Sequence, residues 1–355
     1  MLGNDWRFEL LASGGENMMK AIVQNGYGPA DVLELREIDR PNVKDDEVLV
    51  RVRAASLHAD VWHIMRGVPY VLRIMGAGLR APKNRVPGTD LAGHVESVGK
   101  QAARFRPGDE VFGQSLIANL WRNGGTYAEY AAVPEAMVER KPANLTFEQA
   151  AAVPTSGWIA VQGVRDEGRL QSGQRVLING AGGAVGTFAV QLAIAYGANV
   201  TGVDASGKLD MLRSIGVDQV IDYTQEDFTR RGERYDLILD MAGNHPWSAC
   251  RRALTPAGTY VLIGYDQFGR SGHRWFGSLG RFFKLLVVSP FVSNLHPSRG
   301  TKDPGDRLVV LKELVEAGKI TPVIDRTFPL SEVPEAIRYL ESGQALGKVV
   351  ITVGD

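Results

Sequence analysis

The stretch Arg175-Val-Leu-Ile-Asn-Gly180-Ala-Gly182-Gly183-Ala-Val-Gly186 sets the tightest limit on what this chain can fold into. An apolar run leads into a glycine turn, and a helical run, Val185–Tyr196, follows. Glycine lets the turn take positive φ, lets backbone approach a pyrophosphate, and lets the helix pack closely on the strand. The helix start then offers free N–H groups and the positive end of its dipole to an anion. Gly180, Gly183 and Gly186 stand three apart with Gly182 added, a variant of the usual G-x-G-x-x-G spacing. A plain glycine-rich βα turn would use the same residues. Here a second strand-like run, Asn199–Asp204, ends in an acid at about the distance expected of a ribose-binding carboxylate. The reading is a dinucleotide cradle made by Gly180, Gly182, Gly183, Ala184, Val185 and Gly186.

Asp204 suits the ribose hydroxyls of NAD. Ser206 and Lys208, just beyond it, suit the 2′-phosphate of NADP, although Lys208 also reads as a solvated lysine at a helix start. At these residues the choice of cofactor stays open.

Around this motif the chain falls into two rhythms. From Lys20 to Ala152 short β-prone runs dominate: Ala21–Gln24, Glu47–Ala54, Gly93–Val98, Glu110–Phe112 and Ala128–Val133, separated by Gly and Pro. Such spacing predicts a compact β-barrel-like domain. From Val153, strand-like runs (Val176–Asn179, Asn199–Asp204, Gln219–Ile221, Leu237–Asp240, Thr259–Ile263) alternate with helical ones (Val185–Tyr196, Lys208–Ile215, Trp247–Leu254). That alternation predicts a parallel sheet with helices on both faces. A helix, Arg307–Glu316, leads into a β-prone tail ending at Lys348–Val353.

Composition excludes several classes. Formal net charge is +0 and no long basic run occurs, so nothing marks a nucleic-acid binder. The single cysteine, Cys250, allows neither an internal disulfide nor a zinc site built from thiolates. The apolar patch Leu285–Val288 is far too short to span a bilayer, and the residues up to Met18 lack the apolar run of a secretory signal. The expectation is a cytoplasmic protein with a little-folded leader and no transmembrane segment.

Several motifs together resemble the medium-chain dehydrogenase/reductase superfamily, in its zinc-independent quinone oxidoreductase-like branch. They are Met19-Lys-Ala-Ile-Val23, Pro87-Gly-Thr-Asp-Leu-Ala-Gly93, Phe105-Arg-Pro-Gly-Asp-Glu-Val-Phe112, Gly125-Thr-Tyr-Ala-Glu-Tyr130, the glycine turn, Val220-Ile-Asp-Tyr223 and Gly347-Lys-Val-Val-Ile351. The resemblance implies an α/β fold: a GroES-like β-barrel domain over 19–152, a Rossmann doubly wound parallel-sheet domain over 153–300, and a return to the barrel over 301–355. It also implies a homodimer.

Zinc-dependent relatives hold the metal with Cys, His and a further Cys or equivalent. The matching positions here are His58, Thr89 and Ala152. Neither Thr89 nor Ala152 completes a tetrahedral set with His58, so no metal is expected. What remains is hydride transfer to a small hydrophobic carbonyl or quinone, with NADP(H) the expected cofactor and NAD(H) the alternative. A metal-free alcohol or aldehyde oxidoreductase and a dinucleotide-binding sensor of little activity are the competing functions.

By resemblance, His58 stands where the family usually carries Asn beside the nicotinamide; it is either a proton donor or a plain pocket-wall residue. Tyr70 is a candidate phenol donor, offset by about one residue from the Tyr of related enoyl reductases, with plain packing the alternative. Thr155 matches a threonine near the nicotinamide. Tyr223, Ala242, Gly243, Gly264, Tyr265 and Lys348 complete the implied cofactor contacts. Two segments, Val68–Arg85 and Phe268–Phe291, mix apolar residues with Arg and Lys. They read as a lid, a subunit contact or a lipid-touching surface, with core packing of an extra helix the expectation for the second.

Overall fold

The computed structural model describes residues 17–115, 122–264, 275–276, 287, 295–297 and 306–354. The chain starts with an antiparallel hairpin of β1 (Met18–Gln24) and β2 (Leu33–Asp39). Next come β3 (Glu47–Ser56), β4 (Asp90–Val98), β5 (Glu110–Gln114), β6 (Tyr130–Pro134) and β7 (Val138–Arg140). These five strands pair antiparallel, with β3 held between β4 and β6. Alternating buried residues of β3, such as Val48, Val50 and Val52, fill the barrel core.

Between β3 and β4 lies α1 (Ala59–Arg66), capped by the His58 ring and stopped by Gly67 at φ +59. After β7, Thr146 and Gln149 form a reciprocal cap that starts α2 (Phe147–Ala152). Helix α3 (Pro154–Val161) follows at once, with Pro154 in its first turn.

The second unit runs β8 (Arg175–Asn179), α4 (Ala184–Ala195), β9 (Asn199–Asp204), α5 (Leu209–Ser214), β10 (Gln219–Asp222), β11 (Tyr235–Asp240), α6 (Trp247–Arg252), β12 (Leu254–Leu262) and β13 (Leu295–Pro297). All six strands are parallel, in the order β10-β9-β8-β11-β12-β13. The first-formed strand, β8, is central, and the order reverses between β8 and β11. In such sheets the crevice at that reversal holds ligands. Helix α7 (Arg307–Glu316) packs on α3. Then β14 (Ile324–Pro329), α8 (Val333–Ser342) and β15 (Lys348–Thr352) close the chain, with β15 lying between β14 and β3.

The helices α1, α2 and α8 differ from the strand-dominated expectation for their regions. In the tail, α8 interrupts the β-prone run because Val333, Ala336 and Ile337 recur at helical spacing and face the core, while Gly343 at φ +74 ends the helix. The second departure concerns Phe268–Phe291. Of that segment only Trp275, Phe276 and Val287 lie among the described residues, and all three are more than half exposed. For these three the expected core packing is wrong.

Candidate active site

The glycine turn is built for close approach. Gly180 holds φ +88, and a Cβ on Gly186 would fall 2.2 Å from the Gly180 carbonyl oxygen. Gly183 caps α4 without any side-chain acceptor, which leaves N–H groups of the first turn (Ala184, Val185, Gly186) to an anion. A Cβ on Gly183 would meet nothing closer than 3.5 Å. This open cradle at a helix start fits the pyrophosphate of a nicotinamide dinucleotide.

Asp204 does more than face a ribose. Its Oδ2 accepts from Gly182 N at 2.8 Å and its Oδ1 from Ala205 N at 2.8 Å, so the carboxylate braces the turn. The Lys208 side chain lies over Gly182, with Cδ 2.9 Å from where a Cβ would stand. Ser206 donates its hydroxyl to Asp222, which also accepts from Thr224 N and Thr224 Oγ1. Those hydroxyl donors hold the Asp222 carboxyl below the usual carboxylate range. Tyr223 is half-exposed beside them. Asp204, Ser206, Lys208 and Tyr223 thus share one rim at the ends of β9 and β10.

At the strand-order reversal, Asp240 ties the ends of β8, β11 and β12. It accepts from Asn179 Nδ2 and Gly243 N at 2.8 Å each, and from the Tyr260 hydroxyl at 2.7 Å. This fixes the loop carrying Ala242 and Gly243. Gly264 is required by packing, since a Cβ there would lie 1.8 Å from the Met241 carbonyl oxygen. Tyr265 lies outside the described residues.

The tail joins this turn to the barrel. Gly347 N donates to Gly182 O at 3.0 Å. The next residue, Lys348, is fully buried, and its Nζ reaches Leu57 O at 2.9 Å, Ser156 Oγ at 3.2 Å and Asp90 Oδ2 at 3.4 Å. Asp90, also fully buried, accepts from Ser56 Oγ at 3.0 Å, from Thr155 N at 3.2 Å and from the Thr155 hydroxyl. Thr155 Oγ1 also lies 3.0 Å from Gln114 Oε1. Burial pushes the Lys348 ammonium below its ordinary range, and Asp90 opposes that shift. Lys348, expected to touch cofactor, therefore points its charge into this network. Asp90, Ser56, Ser156 and Gln114 were not singled out from sequence. The available signal was an acid in an otherwise apolar strand, Asp90-Leu-Ala-Gly93.

His58 and Thr89 lie at the same end of the β3–β4 ladder. The register pairs Ser56 with Asp90, so the two residues continue just past that pair. His58 is buried, with Nδ1 3.4 Å from both Asp60 N and Asp60 Oδ2. Thr89 is 2% exposed and its hydroxyl has no partner among the described residues. A buried hydroxyl without a partner is costly, which marks this one as available to a ligand oxygen. Ala152 is fully buried in α2. Among the described residues no cluster of three or more His, Cys, Asp or Glu is placed to hold a metal ion.

Tyr70 stands elsewhere, in an aromatic stack. Its ring meets Trp275 edge-on at 5.6 Å, and the Arg73 guanidinium covers it at 4.7 Å. Val71 N donates to Trp275 O at 3.1 Å, so this stack forms a second crossing between the barrel side and the parallel-sheet side.

Comparison with known proteins agrees with this arrangement. Residues 44–143 match the family model described as alcohol dehydrogenase GroES-like domain, and residues 215–351 match the one described as zinc-binding dehydrogenase. The chain is 34% identical to 2-methylene-furan-3-one reductase of Solanum lycopersicum, over 94% of this chain and 79% of the relative. It is 35% identical to a chloroplastic NADPH-dependent alkenal/one oxidoreductase of Arabidopsis thaliana, again over 94% and 79%. A solved quinone oxidoreductase from Coxiella burnetii superposes with a TM-score of 0.81 at 27% identity, covering 95% of this chain and all of that one. The fold and its glycine cradle are those of a nicotinamide-dependent oxidoreductase. The chain belongs to the medium-chain dehydrogenase/reductase superfamily, in its quinone oxidoreductase-like branch.

Proposed function

We propose that the chain is a zinc-independent NADPH-dependent reductase of quinones or α,β-unsaturated carbonyls. The observation that carries this reading is the buried Thr89 hydroxyl, which has no partner among the described residues, at a position where zinc-dependent relatives place a metal ligand. Thr89 and Ala152 cannot ligate with His58, so the acceptor oxygen is met by hydrogen-bond donors.

A reduced nicotinamide, when bound, supplies the hydride. The glycine cradle and the first turn of α4 hold the pyrophosphate, while Ser206 and Lys208 receive the 2′-phosphate. Thr155, fixed by Asp90, sets the floor beside the nicotinamide. Thr89 donates its hydroxyl to the acceptor oxygen, where charge develops as the conjugated system is reduced. His58, buried with Nδ1 near Asp60, is the group assigned to supply the proton. Tyr70, which α1 joins to His58, is assigned the outer edge of the acceptor pocket, away from the reacting atoms. We also propose a homodimer, and a cytoplasmic location, since one cysteine in the sequence leaves the fold no internal disulfide to form.

Stopped-flow oxidation of NADPH against 1,4-benzoquinone, straight-chain enones and simple alcohols tests the reading. Turnover is expected with the conjugated acceptors; a protein that binds NADPH but reduces none of them sinks it. Lys208→Ala is expected to weaken NADPH about tenfold and NADH little. Equal losses for the two would remove the 2′-phosphate contact. An undiminished rate in His58→Asn would free His58 of the proton.

A further inference from the structure

The rim that carries Tyr70 has a composition unlike the rest of the molecule. From 61 to 89 the chain contains Arg66, Arg73, Arg80, Lys83 and Arg85 and not one Asp or Glu, although the whole chain has a formal net charge of +0. In sequence, 267–302 also lacks acids and carries Arg270, Arg274, Arg281, Lys284, Arg299 and Lys302. The structure brings the first of these segments against Trp275 of the second, through the Val71–Trp275 hydrogen bond and the Tyr70–Trp275 ring contact.

At that junction large apolar side chains face solvent. Ile74 is 69% exposed, Leu79 73%, Trp275 55% and Phe276 58%. Ile74 lies in the turn that follows Tyr70 and Val71, the two residues that meet Trp275. Leu79 follows Gly78, whose carbonyl is pinned by the Tyr27 hydroxyl. Isolated exposed apolar residues need no explanation, but four at one junction do. Arg80 and Lys83 are exposed and form no ion pair among the described residues, and the Arg85 side chain donates to the Asn25 carboxamide.

We propose that this rim docks on the surface of an anionic bilayer, with Ile74, Leu79, Trp275 and Phe276 entering the headgroup boundary and Arg80, Lys83 and Arg85 meeting lipid phosphates. Exposed aromatic and aliphatic side chains ringed by cations match that boundary in both polarity and charge. A second copy of the chain fits worse. A two-fold contact sets the same patch against itself, and would oppose cations with no acid between them. Since the rim borders the cleft, docking there puts a lipid-dissolved quinone or enone next to the acceptor pocket. Docking stands on the patch alone; only this delivery rests on the reductase reading.

Flotation of the full chain with vesicles of phosphatidylcholine alone, or with one third phosphatidylglycerol, tests the docking. Wild type is expected to partition about tenfold more strongly into the anionic vesicles. The double variant Ile74→Glu/Leu79→Glu is expected to lose at least about tenfold of that binding. It should keep its melting temperature and its turnover of water-soluble 1,4-benzoquinone. Leu35→Glu, at an exposed apolar residue on β2, serves as the control and should bind like wild type. No flotation with anionic vesicles overturns the proposal, as does equal binding by the double variant. A change of oligomeric state in the double variant, read by light scattering, would assign the patch to self-association and overturn it too. Failure of 1,4-benzoquinone turnover in wild type would strike the reductase reading and leave the flotation result standing.

Discussion

Two of the places where the barrel meets the parallel sheet are built from opposite materials. The floor joins Lys348, Asp90, Thr155 and Ser156 with the Gly347–Gly182 bond; its lysine and aspartate are fully buried and every oxygen of Asp90 is met by donors. The rim joins Tyr70, Arg73 and Trp275 through ring faces and one backbone bond, and Trp275 is half out in solvent. A buried polar network holds its members in one arrangement because any shift leaves a charge without a partner. Ring contacts at a surface slide and part at small cost. The difference assigns rigidity to the floor, which must keep the cofactor turn in register with His58 and Thr89. It assigns opening to the rim, where an acceptor must enter.

Four measurements would break or sharpen that contrast. Lys348→Met removes the ammonium and leaves Asp90 buried without its cation, so denaturant unfolding should show a loss of about 3–5 kcal/mol. Adding Asp90→Asn to it should recover a large share; a single variant as stable as wild type would erase the floor as a distinct structure. Thr89→Val keeps the shape but removes the donor, and kcat for an enone should fall about 10²-fold with NADPH affinity unchanged. Thr89→Ser should restore most of that rate. Gly347→Ala forces a side chain into a position at φ +76, with a Cβ 2.5 Å from Val323 O. A stability loss of about 1–3 kcal/mol with weaker cofactor binding is expected, read by thermal melts and NADPH fluorescence. Trp275→Ala, at the rim, should cost under about 1.5 kcal/mol in the same melts, since only a ring pair is lost. If it costs more than Lys348→Met, the assignment of rigidity is reversed.

The parts of this molecule that sequence disclosed are those whose physics is local. The glycine turn, the strand before it and the helix after it form one continuous stretch, and each glycine has a backbone reason to be there. The six parallel strands were mostly visible as short apolar runs. The reciprocal cap at Thr146 and Gln149 was equally local and marks α2, yet its short helix was hidden among β-prone neighbours. The floor was legible only in pieces. Lys348 and Asp90 lie 258 positions apart, and nothing near either residue tells where the other will be. His58 and Thr89 were both named from the motif they occupy, but their placement at one end of the β3–β4 ladder follows from strand register, which depends on the whole sheet. Asp204 was read as a ribose acceptor; its further task of bracing Gly182 needed the backbone to be seen.

The placement of β15 beside β3 has a consequence for how the chain is made. Thr352 pairs with Ala54 and Val350 with Ser56, so the barrel sheet stays unfinished until the last strand leaves the ribosome. The parallel sheet is encoded between them and can assemble while its host is still half-built. Synthesis therefore completes the cofactor unit first, and the growing barrel keeps an exposed flank of β3 in the meantime, open to chaperones and to unwanted partners.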